Sequence, residues 1–371
     1  KHWPGEGFDD RDQHLVTTLN PLDIGPWHSS FGRIYRQLID DGVMSVMSAH
    51  IAFPAYAKAH GAQGLESCRP ASVSRLLNQQ LLREELGFNG VIVSDAAGMG
   101  GLTSWAERAQ LVCDIFNSGC DMLLFPSPLE GDLAHLEHGL ANGHVSWERI
   151  DEALLRVLGM KAALGLHRQS MDQRLPAITQ AQRVIRQASH IEIEKTVASA
   201  CVSLVKDVQG LLPLSPEKHR RIVLVTDPER SGFAFQAPPP LVLPGLLSEH
   251  GFEVRTFDPQ QPPTAQDTDL VLYLLAQESL LTRSHIYLDW LRMHGGFRTA
   301  MRRYWHDIPC ALVSFGHPYY LYDAPRMPCL INAYTATEPV QHAVLRKLLG
   351  QEPFTASHPV DPTCGLPDAL Y

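Results

Sequence analysis

Gly90-Val91-Ile92-Val93-Ser94-Asp95 is the stretch on which the fold turns. Three β-branched residues in a short apolar run, opened by glycine and closed by a carboxylate, read as a buried strand with a polar group at its C-terminal end. Two further runs read the same way. Val43 to Ala49 follows the turn pair Asp41-Gly42 and ends at His50, and Cys120 to Phe125 is a third. Helical patterns lie between and after them. Pro70-Ala71-Ser72 opens one, with Ser72 as its cap, Val73, Leu76, Leu77, Leu81 and Leu82 at helical spacing and Gly87 as its stop. Ser104-Trp105-Ala106-Glu107 has the capping-box spacing that precedes a second helix. A third, from Ser146 to Leu164, carries Ile150, Leu154, Leu155, Leu158 and Ala162 on one stripe.

Strand and helix in alternation predict parallel strands covered by helices. Polar groups at strand C-termini suit a (β/α)8 barrel, but only three or four of its eight units are legible here. The first domain is expected over residues 1–166. Residues 167–196 read as a linker, beginning with a Gln- and Arg-rich stretch, and residues 197–371 as a second α/β domain. Its strand candidates are 221–226, 268–275, 309–315 and 328–334, and its helical stretches 241–250, 287–305 and 339–349. That spacing fits a doubly wound open sheet. No G-x-G-x-x-G turn follows a strand, which argues against a dinucleotide site. Pro238-Pro239-Pro240 reads as a rigid loop.

Composition narrows the function. The 371 residues carry a net charge of −9, which disfavours nucleic acid, because phosphate binding needs a basic surface. No apolar run approaches the roughly 18 residues of a membrane span. Seven cysteines, an odd number without CxxC spacing, favour free thiols in a reducing, cytoplasmic compartment over disulfides or zinc. The first residue is Lys1, with no methionine before it.

The chemistry concentrates in Lys1-His2-Trp3-Pro4-Gly5-Glu6-Gly7-Phe8-Asp9-Asp10-Arg11-Asp12-Gln13-His14. Gly5, Gly7 and Pro4 make this a loop, and it crowds titratable groups together as active-site loops do. Within it, Asp12 lies two residues before His14, a spacing at which a carboxylate on a turn can orient an imidazole. His2, His14 and His50 follow no ligand spacing for zinc, so no metal is expected.

These residues resemble glycoside hydrolase family 3, in its β-N-acetylglucosaminidase branch. Lys1, His2, Pro4, Gly5, Gly7, Asp12 and His14 are in register with the family loop KHFPGHGDTxxDSH. Trp3 stands for its Phe, and Glu6, Phe8 and Asp9 depart from its His, Asp and Thr. Residues 70–90 are similar to its PASLS…LR-ELGF-G stretch. Val91 to Asp95, with Met99, is similar to its nucleophile motif V-(I/V)-S-D-x-x-x-M. Gly119 to Leu123 resembles a late barrel strand, and Leu204 to Lys206, Leu212 to Leu214 and Gly316 to Tyr319 resemble the C-terminal α/β domain.

The resemblance implies the C-terminal part of a TIM-type barrel followed by an α/β sandwich, with roughly the first half of the barrel outside this chain. It implies a retaining β-N-acetylhexosaminidase that removes terminal β-linked N-acetylglucosamine, for instance from peptidoglycan fragments, without a cofactor. Asp95 would be the nucleophile, His14 the acid/base and Asp12 its orienting partner. Lys1 and His2 would bind sugar hydroxyls. His50, at a strand end, would line the pocket or be a satisfied core histidine. Two other readings stay open. One is an inactive fragment or sugar-binding remnant. The other is a β-glycoside phosphorylase, since an imidazole that has given up its proton does not repel an incoming phosphate. Residues 1–371 alone are expected to be inactive and prone to associate through exposed strand edges.

Overall fold

The computed structural model describes residues 1–9, 11–126, 128–175, 177–227, 240–277 and 287–371. It divides into two units, Lys1–Pro176 and Ala177–Tyr371. The first contains β1 (Thr18–Leu19), β2 (Ser45–Ser48), β3 (Ile51–Ala52), β4 (Val91–Ala96) and β5 (Met122–Leu124). β4 lies between β2 and β5 and is parallel to both, Trp3 makes a parallel bridge to Ser48, and β1 pairs with β3. All of these pairings are parallel, as in a barrel wall. Helices fill the intervals. Their apolar faces, with Trp3, Trp27, Phe53, Leu77, Leu81 and Ile92, form one core.

Three helices differ from the sequence reading. Ser72 does not cap a helix. It lies in a 3-10 turn, Ala71–Val73, and its hydroxyl is taken by the His50 ring, so the helix starts later, at Leu76–Glu85, and winds as a π-helix. Ser104 closes a short helix, Gly100–Thr103, and the next, Arg108–Asn117, is entered from an extended Glu107. The helix Trp147–Ala163 lies where expected, with Ser146 as its cap, but Leu154, Leu155 and Leu158 are exposed. Ala153 is buried instead, flanked on the same face by Arg149 and Arg156. Both guanidiniums reach Asp121, and these ion pairs decide which face turns inward.

The second unit holds a six-stranded sheet: β6 (Ser203–Asp207), β7 (Arg221–Thr226), β8 (Glu253–Thr256), β9 (Leu270–Leu275), β10 (Cys310–Ser314) and β11 (Cys329–Asn332). The order is β6-β11-β10-β9-β7-β8, parallel except for β6 at one edge. β9 shows why the sheet is doubly covered. Leu270, Leu272 and Leu274 enter one core cluster, and Val271, Tyr273 and Leu275 enter another. A strand alternates its faces with period two, so an unbroken apolar run must be buried on both. The helix expected over 287–305 is two short ones, Trp290–Met293 and Phe297–Ala300. They are broken at Gly295 and Gly296, whose φ values of 68° and 142° no helix accommodates. Pro238 and Pro239 lie outside the described residues.

Candidate active site

Asp95 occupies the C-terminal end of β4, held by ladders on both sides. Its Oδ1 accepts a hydrogen bond from the Ala96 N–H at 2.8 Å, and its Oδ2 lies 4.0 Å from His2 Nε2. A rigid strand therefore carries a carboxylate that keeps 13% of its side-chain surface exposed.

His14 sits on the loop in front of β1. The buried carboxylate of Asp12 accepts twice through Oδ1: from the His14 backbone N–H at 2.8 Å and from ring Nδ1 at 2.7 Å. A carboxylate oxygen only accepts, so Nδ1 carries the proton in this pair and the ring is fixed in orientation.

Backbone contacts fasten this loop to the segment that follows Asp95. Gly100 N–H donates to His14 O at 2.7 Å and Gly101 N–H to Gln13 O at 3.2 Å, while the Thr17 hydroxyl donates to Gly101 O at 2.6 Å. A Cβ at Gly100 would lie 2.5 Å from Leu15 O, and one at Gly101 2.4 Å from Gln13 O. No side chain fits there, which is why glycines hold these positions. The Lys1–Gly7 segment is tied separately. Trp3 exchanges backbone hydrogen bonds with Met47 and Ala49, Trp27 Nε1 donates to Pro4 O, and Asn20 Nδ2 to Gly5 O.

His2 stands between two carboxylates, with Nδ1 2.9 Å from Glu6 Oε2 and Nε2 toward Asp95. Lys1 is exposed and, with His2, Glu6, Phe31 and Tyr35, lines a cavity of about 410 Å³. Neither Asp95 nor His14 lines that cavity. His50 is fully buried, and both ring nitrogens are engaged. Nε2 donates to Ala96 O at 3.0 Å, and Nδ1 lies 2.8 Å from Ser72 Oγ. Burial pushes its pKa below the ordinary imidazole value, against the opposing pull of the Ala96 carbonyl and the Asp95 charge. A neutral ring then accepts from Ser72 at Nδ1, and His50 braces the strand end beneath Asp95.

His2 and Asp95 thus approach each other, and the loop with Asp12 and His14 is tied to the segment that follows Asp95. Sequence reasoning missed the residues that hold these groups: Glu6, Gln13, Ser72 and the Gly100-Gly101 pair. Only the glycine pair left a visible signal, a doublet shortly after a strand end. Among the described residues no three His, Cys, Asp or Glu side chains converge to hold a metal, and no helix is long and apolar enough to cross a membrane.

Residues 1–160 match the glycosyl hydrolase family 3 N-terminal domain. The chain is 38% identical, over 379 aligned residues, to a β-N-acetylglucosaminidase/β-glucosidase of Cellulomonas fimi, an alignment covering 98% of this chain and 66% of that protein. The chain belongs to glycoside hydrolase family 3. A second relative, a β-hexosaminidase of Methylobacillus flagellatus, is 32% identical over 174 residues, 46% of this chain and 44% of its own length. Among solved structures, a β-glucoside phosphorylase superposes with a TM-score of 0.83 at 34% identity, over 100% of this chain and 66% of its own. The chain therefore spans about two thirds of the C. fimi relative, and less than half of the M. flagellatus one. The two units are the barrel-type and α/β-sandwich components of the family 3 architecture.

Proposed function

We propose that the intact protein is a retaining family 3 glycosidase that releases terminal β-linked N-acetylglucosamine, with peptidoglycan fragments as a natural source. The observation that carries this reading is the Asp12–His14 pair, 2.7 Å apart, on a loop fastened to the segment just beyond Asp95. A retaining mechanism needs a carboxylate under the anomeric carbon and a proton donor beside the leaving oxygen. Asp95 attacks the anomeric carbon while His14 Nε2 protonates the departing oxygen, giving a glycosyl ester on Asp95. His14, now neutral, takes a proton from water as the water attacks that ester, and Asp95 leaves as a carboxylate. Imidazole suits both half-reactions, because its ordinary pKa of about 6.5 is near a neutral working pH. Lys1 and His2 are assigned to sugar hydroxyls. The name of the C. fimi relative supports the amino-sugar substrate and keeps β-glucosides beside it.

A second reading has phosphate in place of water as the acceptor. It is supported by the similarity to a β-glucoside phosphorylase, and by an acid/base that is uncharged when the acceptor arrives. One experiment separates the readings. The intact protein is given aryl N-acetylglucosaminide and aryl glucoside, with and without phosphate, and the sugar product is identified. Free N-acetylglucosamine at an unchanged rate supports hydrolysis, and a sugar 1-phosphate supports the second reading. Trapping with a fluorinated sugar should label Asp95, and a label on any other carboxylate rejects the mechanism.

A further inference from the structure

Gln13 lies between Asp12 and His14 and is 3% exposed. Every polar group that it can aim outward from the loop is used, and each goes to a different segment. Its Nε2 donates to Glu6 Oε1 at 2.9 Å. Its Oε1 accepts from the His50 backbone N–H at 3.1 Å, and its carbonyl accepts from the Gly101 N–H at 3.2 Å. Each of these three partners connects to a neighbour of Asp95 or to the segment that follows it. Glu6 holds His2, whose other nitrogen faces Asp95. His50 hydrogen-bonds the carbonyl of Ala96, the next residue. Gly101 lies in the short helix, Gly100–Thr103, that follows β4.

We infer that Gln13 is a positioning residue that sets His14 relative to Asp95. The inference rests on the reading of His14 as acid/base given above. A buried amide with both ends paired is costly to disturb, because each lost bond leaves an unsatisfied partner. It has one low-energy arrangement, and that arrangement locks the loop carrying the imidazole to the strand end carrying the carboxylate. Asp12 orients the ring within its own loop, and Gln13 places that loop against the rest of the site. The Gln13–Glu6 bond has a further consequence. Glu6 stands where the family loop has His, and Gln13 where it has Ser, so two of the departures from that pattern touch each other. They form one linked pair that joins the acid/base loop to the side of the site bearing His2.

Proton donation matters for a poor leaving group and hardly at all for an activated one. A residue that acts only through His14 should show the same selectivity. In the intact protein, Gln13→Ala is expected to lower kcat/KM on an alkyl N-acetylglucosaminide by about 10- to 100-fold, the scale of a misplacement near 1 Å. On a dinitrophenyl N-acetylglucosaminide the loss should be under about 3-fold. Added to His14→Ala, it should cause no further loss on either substrate, because residues acting as a unit are not additive. Equal losses on both substrates, or a multiplicative double variant, would overturn the inference and leave Gln13 a purely structural residue. Should Gln13→Ala not fold, Gln13→Glu carries the same expectation. It keeps the acceptor for the His50 N–H and replaces the donor to Glu6 with a repelling charge. His14→Ala alone serves as the reference. If it shows no leaving-group selectivity, the acid/base reading is wrong and the role of Gln13 falls with it. If it does and Gln13→Ala does not, only the present inference fails.

Discussion

Two aspartates on neighbouring strands of the first unit show how position decides what a carboxylate does. Asp95 lies at the C-terminal end of β4, and Asp121 immediately precedes β5. Asp121 has no exposed side-chain surface. It accepts from Arg83 at 2.7 Å, from the Ile92 N–H at 2.9 Å and from Arg149 at 2.5 Å. Its charge is consumed in joining a strand to two helices. Asp95 has one backbone donor, a histidine at 4.0 Å and some exposed surface. In a barrel-type fold the C-terminal ends of the strands carry chemistry and the N-terminal ends carry stability, and the roles proposed for the two aspartates divide along that line. A carboxylate saturated by guanidiniums is a poor nucleophile, and one with a single donor still has lone pairs to offer.

The contrast can be broken by substitution at either end. Asp95→Ala in the intact protein should lower kcat by about 10⁴-fold or more, because a nucleophile cannot be replaced by its neighbours. The midpoint of denaturant unfolding should hardly move, and a variant that keeps its rate but loses stability would reverse the assignment.

His14→Ala comes next in size. On alkyl glycosides the loss should be about 10²- to 10⁴-fold, the usual contribution of general acid catalysis, with aryl substrates nearly spared. Asp12→Asn should follow the same selectivity more weakly, measured as the ratio of the two kcat/KM values.

Asp121→Ala is the mirror experiment. Removing one partner of a buried ion network strands the others, so unfolding free energy should drop by about 3–5 kcal/mol. The rate per folded molecule should remain close to that of the parent protein. A selective loss of catalysis at full stability would contradict the division drawn here.

The smallest effect sharpens the Asp95 end. His50 is buried beneath it, between Ser72 and the Ala96 carbonyl and near the Asp95 and His14 charges, with its pKa pushed down by burial. The unfolded chain then binds a proton at His50 before the folded one does. Its contribution is complete above the unfolded value of about 6.5 and is lost as pH falls below it toward the lower folded value, at no more than about 1.4 kcal/mol per pH unit. His50→Gln should flatten the fall in stability below about pH 6.5 relative to the parent, read by urea unfolding at several pH values. An unchanged slope would mean that His50 keeps its ordinary affinity for protons in the folded state.

Much of the architecture was legible in single runs. Val91 to Ser94 and Leu270 to Leu275 are apolar without interruption, and only burial on both faces accounts for such strands. The strands that escaped notice are at edges. β8, Glu-Val-Arg-Thr, has Val254 as its one apolar residue and lies at the sheet edge against β7. Its pattern is what an edge requires, and it resembles a loop when read in isolation. The helix over 147–163 is legible from its period, yet the stripe that the period marks is not the inward face. Leucines at helical spacing marked one stripe, while ion pairs from Arg149 and Arg156 to a distant Asp121 selected another.

By itself the sequence determined the elements and the chemistry available: a carboxylate ending a buried strand, and an Asp-x-His turn on a glycine-punctuated loop. Both follow from local rules, because burial pattern and turn residues act within a few positions along the chain. Only the tertiary structure decided which groups meet. Gln13 is 37 residues from His50 along the chain, and Thr17 is 84 from Gly101, yet each pair is hydrogen-bonded. No periodicity records such contacts. They arise when strand pairing brings distant loops to one end of a sheet, and each buried polar group must then find its partner among whatever has arrived there.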